Sequence, residues 1–193
     1  MKSIKSINRS DMTDIALGGA FLGTGGGGDP YIGRLMAEQA IDNYGPVQVM
    51  DVEDLSDDAL VIPVCMMGAP TVMLEKLPRG DEAINALRSL EAVLGRKADA
   101  LFCIEAGGLN STIPIAVAAT AGLPIVDGDG MGSAFPELQM VSMTMFDIHA
   151  CPMAMADEKG NALVLNTVDN LSTEKFARVI TVEMGGAGLI ALY

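Results

Sequence analysis

Two strand-length runs in this chain, Leu60–Met66 and Ala98–Ile104, are almost wholly apolar, and each passes directly into a glycine-bearing turn or loop. A run of that length with no polar alternation suits a strand covered on both faces. Val47–Val52 reads as a further strand and Ile125–Val126 as a short one. Helical segments lie between them. One runs from about Asp11 to Leu22 with Ser10 as its N-cap, and a second opens at Asp29-Pro30 and ends near Asn43. A third spans Asp81–Leu94, with apolar spacing at Ile84, Leu87, Leu90 and Leu94 and a stop at Gly95. Ser111–Ala121 is a small-residue helix with Pro114 in its first turn. Strands alternating with helices predict an α/β fold with a mostly parallel sheet.

The texture changes near Cys151. Met153–Met155 and Ala162–Asn166 flank Asp157-Glu-Lys-Gly160 and read as a small β-hairpin. Leu171–Glu183 is a further helix with Ser172 as its cap, and the sequence then runs into apolar Gly188–Tyr193, which we expect to be followed by more polypeptide. Half of the 193 residues are apolar, yet aromatics are 4% and Trp is absent, so the core is built from aliphatic side chains and 14 Met. Met140, Met143, Met145, Met153 and Met155 suit adaptable core or interface filling, and an apolar Met-rich surface is where a homo-oligomer would form.

A formal charge of −13 argues against nucleic acid and anionic membrane surfaces as partners, because both attract basic patches. The N-terminus lacks the apolar core of a signal peptide, and no apolar stretch approaches the roughly 20 residues of a bilayer span. Three Cys (Cys65, Cys103, Cys151) without CxxC spacing read as reduced thiols. A cytoplasmic location and a small-molecule partner are the expectations.

Three segments could carry chemistry. Gly23 to Gly28 holds five glycines in six residues and fits GxGxxG at Gly23, Gly25 and Gly28. A dinucleotide fingerprint needs a strand before the loop, and here a helix precedes it. So many glycines lose much entropy on ordering, which close approach of a ligand or of another backbone would explain. Gly25, Gly26, Gly27 and Asp29 are therefore candidate ligand contacts, with Asp29 also suited to capping the Pro30 helix. Glu105-Ala-Gly-Gly-Leu-Asn110 follows a buried strand, the position at which open α/β sheets bind ligands. There Glu105 suits a general base or a metal ligand, as well as a cap or an ion pair. Gly107 and Gly108 suit ligand contact, and Asn110 either that or a helix cap. In Asp127-Gly-Asp-Gly-Met-Gly-Ser-Ala-Phe-Pro-Glu137 three carboxylates stand among glycines. Asp127 and Asp129 suit catalysis or, with Glu137 and the single histidine, His149, a hard divalent cation; turn and cap roles are the alternative. Cys65 is a further candidate nucleophile, with nothing near it in sequence to lower its pKa.

Gly23-Thr-Gly-Gly-Gly-Gly-Asp-Pro-Tyr31, Gly68-Ala-Pro70, Glu105–Asn110, Leu123–Gly132 and Phe135-Pro-Glu-Leu-Gln139 together resemble the S-methyl thiohydantoin desulfurase family. Such genes often neighbour those of hydantoinases and oxoprolinases. The resemblance implies a cytoplasmic two-domain protein, with a three-layer α/β sandwich at the amino terminus followed by a mainly β domain. Residues 1–193 would be the first domain, with the second largely outside this sequence. The implied reaction is hydrolytic loss of sulfur from a five-membered ring, leaving a hydantoin. This chain departs from the family at Ser133, where members usually carry Arg suited to a substrate carboxylate. Two functions follow as expectations: a hydrolase of cyclic amides or thioamides, or a non-catalytic ligand-binding or assembly subunit of a hydantoinase-type enzyme.

Overall fold

The computed structural model describes residues 5–76 and 78–193. In chain order the strands are β1 Ser6–Ile7, β2 Val47–Met50, β3 Val61–Gly68, β4 Ala100–Cys103, β5 Ile125–Asp129, β6 Met153–Ala156, β7 Ala162–Leu165 and β8 Ala187–Ala191. The helices are α1 Met12–Gly23, α2 Tyr31–Tyr44, α3 Val72–Glu75, α4 Glu82–Leu94, α5 Ile113–Ala121 and α6 Asn170–Glu183. All eight strands share one sheet in the order β1-β2-β5-β4-β3-β8-β6-β7. The fold is α/β, as the alternation predicts, and the sheet is mixed. β2, β5, β4 and β3 run parallel, whereas β8, β6 and β7 continue it antiparallel from β3. The tight 157–160 turn accounts for part of this, since a short hairpin can only join antiparallel strands.

Side chains alternate across the sheet and divide the core in two. Ile62, Val64 and Met66 of β3, Leu189 and Ala191 of β8, and Ala154 and Ala156 of β6 face one core with α2, α4 and α5. Cys65 and Met67, Ile190, and Met153 and Met155 face the other, with Ala177 of α6 and with Leu138 and Val141. Apolar residues on both faces explain the unbroken runs. α4 buries Leu87 and Leu90 and stops at Gly95 in the left-handed region, as expected.

Two local expectations are corrected. Ser10 does not cap α1: it lies within a 3₁₀ turn, Arg9–Asp11, that precedes the helix, and Asn8 and Asp11 make a reciprocal capping box there. The cap of α6 is Asp169 rather than Ser172; its Oδ1 accepts the Ser172 N–H at 2.7 Å, the i+3 geometry that a short carboxylate reaches. Most of the apolar Gly188–Tyr193 segment belongs to β8, a fully buried strand between β3 and β6. Of the Met-rich segment, Met153 and Met155 are core, whereas Met140 and Met145 are exposed. Among the described residues no helix is long and apolar enough to cross a membrane.

Candidate functional site

β4 ends at Cys103 while its parallel neighbour β3 continues to Gly68, so the far end of β3 loses a strand partner on that side. The loop after β4 fills the gap with a side chain. Asn110 Oδ1 accepts the Met66 N–H at 2.7 Å, and Asn110 Nδ2 donates to Met66 O at 3.2 Å, imitating one rung of a ladder. The second Nδ2 hydrogen goes to Glu105 Oε1 at 2.5 Å. Glu105 Oε2 accepts the Phe135 N–H at 2.8 Å. Glu105, 5% exposed, is thus fixed from both sides at the carboxyl ends of the parallel strands, where ligands bind in sheets of this kind.

The glycine-rich turn between α1 and α2 lies directly against this loop. Leu109 N–H donates to Gly27 O at 3.0 Å. Gly27 (φ +71°) and Gly108 (φ +58°) pack backbone to backbone: a Cβ on Gly108 would lie 2.1 Å from Gly27 O, and one on Gly27 2.8 Å from Gly107 O. Both positions therefore exclude a side chain twice over, by backbone conformation and by space. Close approach of another backbone explains much of the glycine excess. Asp29 Oδ1 accepts the Tyr31 N–H at 2.9 Å, so Asp29 supports the first turn of α2; it is exposed and outside the cavity described next.

Gly26 and Gly27, Cys65–Gly68, Pro70, Ile104, Glu105, Asn110 and Ala134–Pro136 surround a cavity of about 420 Å³, with Leu138, Arg178 and Ile190 completing it. That volume lies within the ordinary range of small-molecule sites. Its wall is largely apolar, with one buried acid and one arginine. Residue-by-residue reasoning missed Met67, Ile190 and Arg178. The first two are indistinguishable in sequence from other core apolar residues. Arg178 belongs to an i,i+4 pair with Glu174 on α6, and that spacing is the one local signal of its role.

Burial raises the Glu105 carboxyl above its usual range, and the nearby Asp129 charge pushes the same way against the two hydrogen bonds. Burial also holds the Cys65 thiol well above its ordinary pKa, with Glu105 and Cys103 adding to the effect, so Cys65 is a neutral thiol rather than a ready nucleophile. Burial pushes Cys103 up to about 12, and its single S–H is shared between Glu105 O and Asn110 O, 2.8 and 2.9 Å from Sγ.

Of the three candidate segments, two meet at one cavity. Gly26, Gly27, Glu105 and Asn110 line one cavity, and the Ala134–Leu138 stretch closes it in place of Asp127–Gly132. Gly25 is exposed at the tip of its turn, while Gly107 and Gly108 are buried beneath the lining, against Ala134 and Gly27. Asp127 is exposed and lines nothing here. Asp129 positions the loops: its Oδ2 accepts the Ala106 N–H at 2.8 Å and the Gly132 N–H at 2.6 Å. Glu137 and His149 are both exposed. Asp127, Asp129, Glu137 and His149 are not gathered into a ligand set; among the described residues no group of three or more His, Cys, Asp or Glu is placed to hold a metal ion. Ser133 donates to Leu22 O at 2.8 Å, tying α1 to this loop.

No curated protein matches the chain. A crystal structure of a protein from Chromobacterium violaceum is similar, with a TM-score of 0.81 and 28% identity; the match covers 98% of this chain and 55% of that one. The chain therefore spans about half the length of that relative. Residues 10–167 match the family described as S-Me-THD-like, N-terminal domain, and the chain belongs to that family.

Proposed function

We propose that the cavity binds a small cyclic amide or thioamide, and that residues 1–193 are the α/β domain of a longer, cytoplasmic hydrolase acting on S-methyl thiohydantoins or thiohydantoins. The observation that carries this reading is Glu105: a buried carboxyl on an apolar cavity, raised in pKa and fixed by neutral donors alone. A raised carboxyl pKa suits both taking and returning a proton near neutral pH. Each oxygen keeps a lone pair beyond its one hydrogen bond.

In this reading water attacks the ring carbon bearing sulfur while a Glu105 oxygen takes its proton. The electrons of the ring C=N bond pass to its nitrogen, which takes that proton; the hydroxyl then closes to a ring carbonyl as the carbon–sulfur bond breaks, and its proton passes by way of Glu105 to the departing methanethiolate. One water is consumed, and hydantoin and methanethiol are the products. Asn110 and Asp129 act as positioning residues, the first on Glu105 and the second on the backbone beside it. The test is turnover by the full-length natural polypeptide on a panel of S-methyl thiohydantoins, thiohydantoins and hydantoins, with thiol release read directly. Release of methanethiol is the expected result. Absence of turnover on every ring, with the protein folded, would leave the assembly-subunit reading in its place.

A further inference from the structure

Arg178 is the one cationic side chain among the described residues that line the cavity. Its guanidinium is held on two edges. Nε donates to Glu174 Oε1, and Nη2 donates to Pro136 O at 2.6 Å. Glu174 is itself anchored: it is 5% exposed, and its Oε2 accepts the Leu138 N–H at 3.0 Å. The Nη1 edge has no hydrogen-bond partner among the described residues. A planar guanidinium pre-set in this way presents free N–H donors at fixed angles, which suits a carboxylate far better than a flexible ammonium would. The setting adds weight. The chain carries 25 acidic and 12 basic residues, so its overall field disfavours anions. Glu105, the other ionisable group on the cavity besides the Cys65 thiol, has its charged form disfavoured by burial. An oriented, partly exposed arginine beside the apolar part of the wall is therefore the element that would decide which ring enters.

Resting on the cyclic-substrate reading above, we infer that Arg178 is a specificity residue: it accepts a carboxylate borne on a substituent of the ring, while the apolar wall takes the ring itself. The test uses the full-length protein and two S-methyl thiohydantoins that differ only at ring carbon 5, one bearing a carboxyethyl group and the other its carboxamide isostere. The unmodified protein should favour the carboxylate by about tenfold in kcat/KM, chiefly through KM, the size of one charge-assisted hydrogen bond. Arg178→Met should abolish that preference, lowering kcat/KM for the carboxylate about tenfold more than for the carboxamide, whereas Arg178→Lys should restore part of it. A residue that merely held Pro136 in place would lower both substrates together, and that result would overturn the inference. So would equal kcat/KM for the two compounds in the unmodified protein. Should Arg178→Met fail to fold, the unmodified protein still decides: its preference should shrink as salt is raised, and a preference insensitive to salt would overturn the assignment. Turnover of neither compound would instead remove the cyclic-substrate reading, and the inference with it.

Discussion

Glu91 and Glu105 are the same residue type at nearly the same burial, 2% and 5% exposed, in two regions built to opposite ends. Glu91, near the end of α4, receives Arg88 Nη1 at 2.7 Å and Lys97 Nζ at 2.8 Å on one oxygen and the Ala98 N–H at 3.0 Å on the other. Burial works to raise its pKa, but those two cations and the amide outweigh it, and the carboxyl titrates below its usual range. Glu105 has only neutral donors and a neighbouring carboxylate, so burial prevails and its carboxyl titrates high. Burial alone therefore does not make a reactive acid. The groups beside a buried glutamate, together with how deep it lies, set the direction in which its carboxyl shifts.

The largest effect that separates the two is on turnover. Glu105→Gln should lower kcat by about 100-fold or more, the usual loss for a general acid–base group, and Glu91→Gln should leave it within about twofold. Equal effects on turnover would erase the distinction. Next comes the backbone that holds Glu105. Gly108→Ala should cost about 2 to 3 kcal/mol in urea unfolding, because it adds both a left-handed strain and a clash with Gly27 O. A cost under about 1 kcal/mol would mean that the glycine loop yields easily and does not fix the site.

The pH dependence of stability should differ in sign. Glu91 has a lowered folded pKa, so its stabilisation is present above the unfolded value near 4.5 and is lost as pH falls through the folded value. Glu91→Gln should therefore cost about 1 to 2 kcal/mol at pH 7, a modest figure because Arg88 and Lys97 are themselves largely in water, and the gap should close in acid. Glu105 has a raised folded pKa, so any stabilisation is complete below 4.5 and is lost as pH rises through the folded value. Glu105→Gln should thus gain on the unmodified protein as pH rises. Melting curves from about pH 2 to 8 check both slopes, and slopes of the same sign would break the comparison. The smallest effect concerns Asp29, whose role is local: Asp29→Ala should cost about 1 kcal/mol and Asp29→Asn close to nothing, with turnover unchanged in both. A stable but inactive Asp29→Asn would move this carboxylate into the site.

Much of this molecule is legible locally. The runs at Leu60–Met66 and Ala98–Ile104, the spacing of Ile84, Leu87 and Leu90, and the turn at Asp157–Gly160 each specify an element through the side-chain period or turn chemistry of a few adjacent residues. Glu105 and Asn110 were legible as candidates because their loop follows a buried strand, at the end where open α/β sheets bind ligands. The five-glycine turn was legible as a place of close approach, but whether a ligand or another backbone approached was not: only packing put Gly108 against Gly27. Placement across the sheet was likewise hidden. Asp127 and Asp129 belong to one strand end with near-identical surroundings in sequence, yet one faces solvent and the other pins Ala106, because period-2 alternation sends neighbours two apart the same way only while the strand stays regular, and β5 shifts register against β4 between its pairs at Leu101 and Cys103. The insertion of Ala187–Ala191 between β3 and β6, and with it the arrival of Arg178 at a cavity formed by residues far earlier in the chain, were decided by tertiary structure alone. The periods and turns of a sequence act over a few residues, whereas the choice of which apolar faces to bury against one another is made by the whole chain at once.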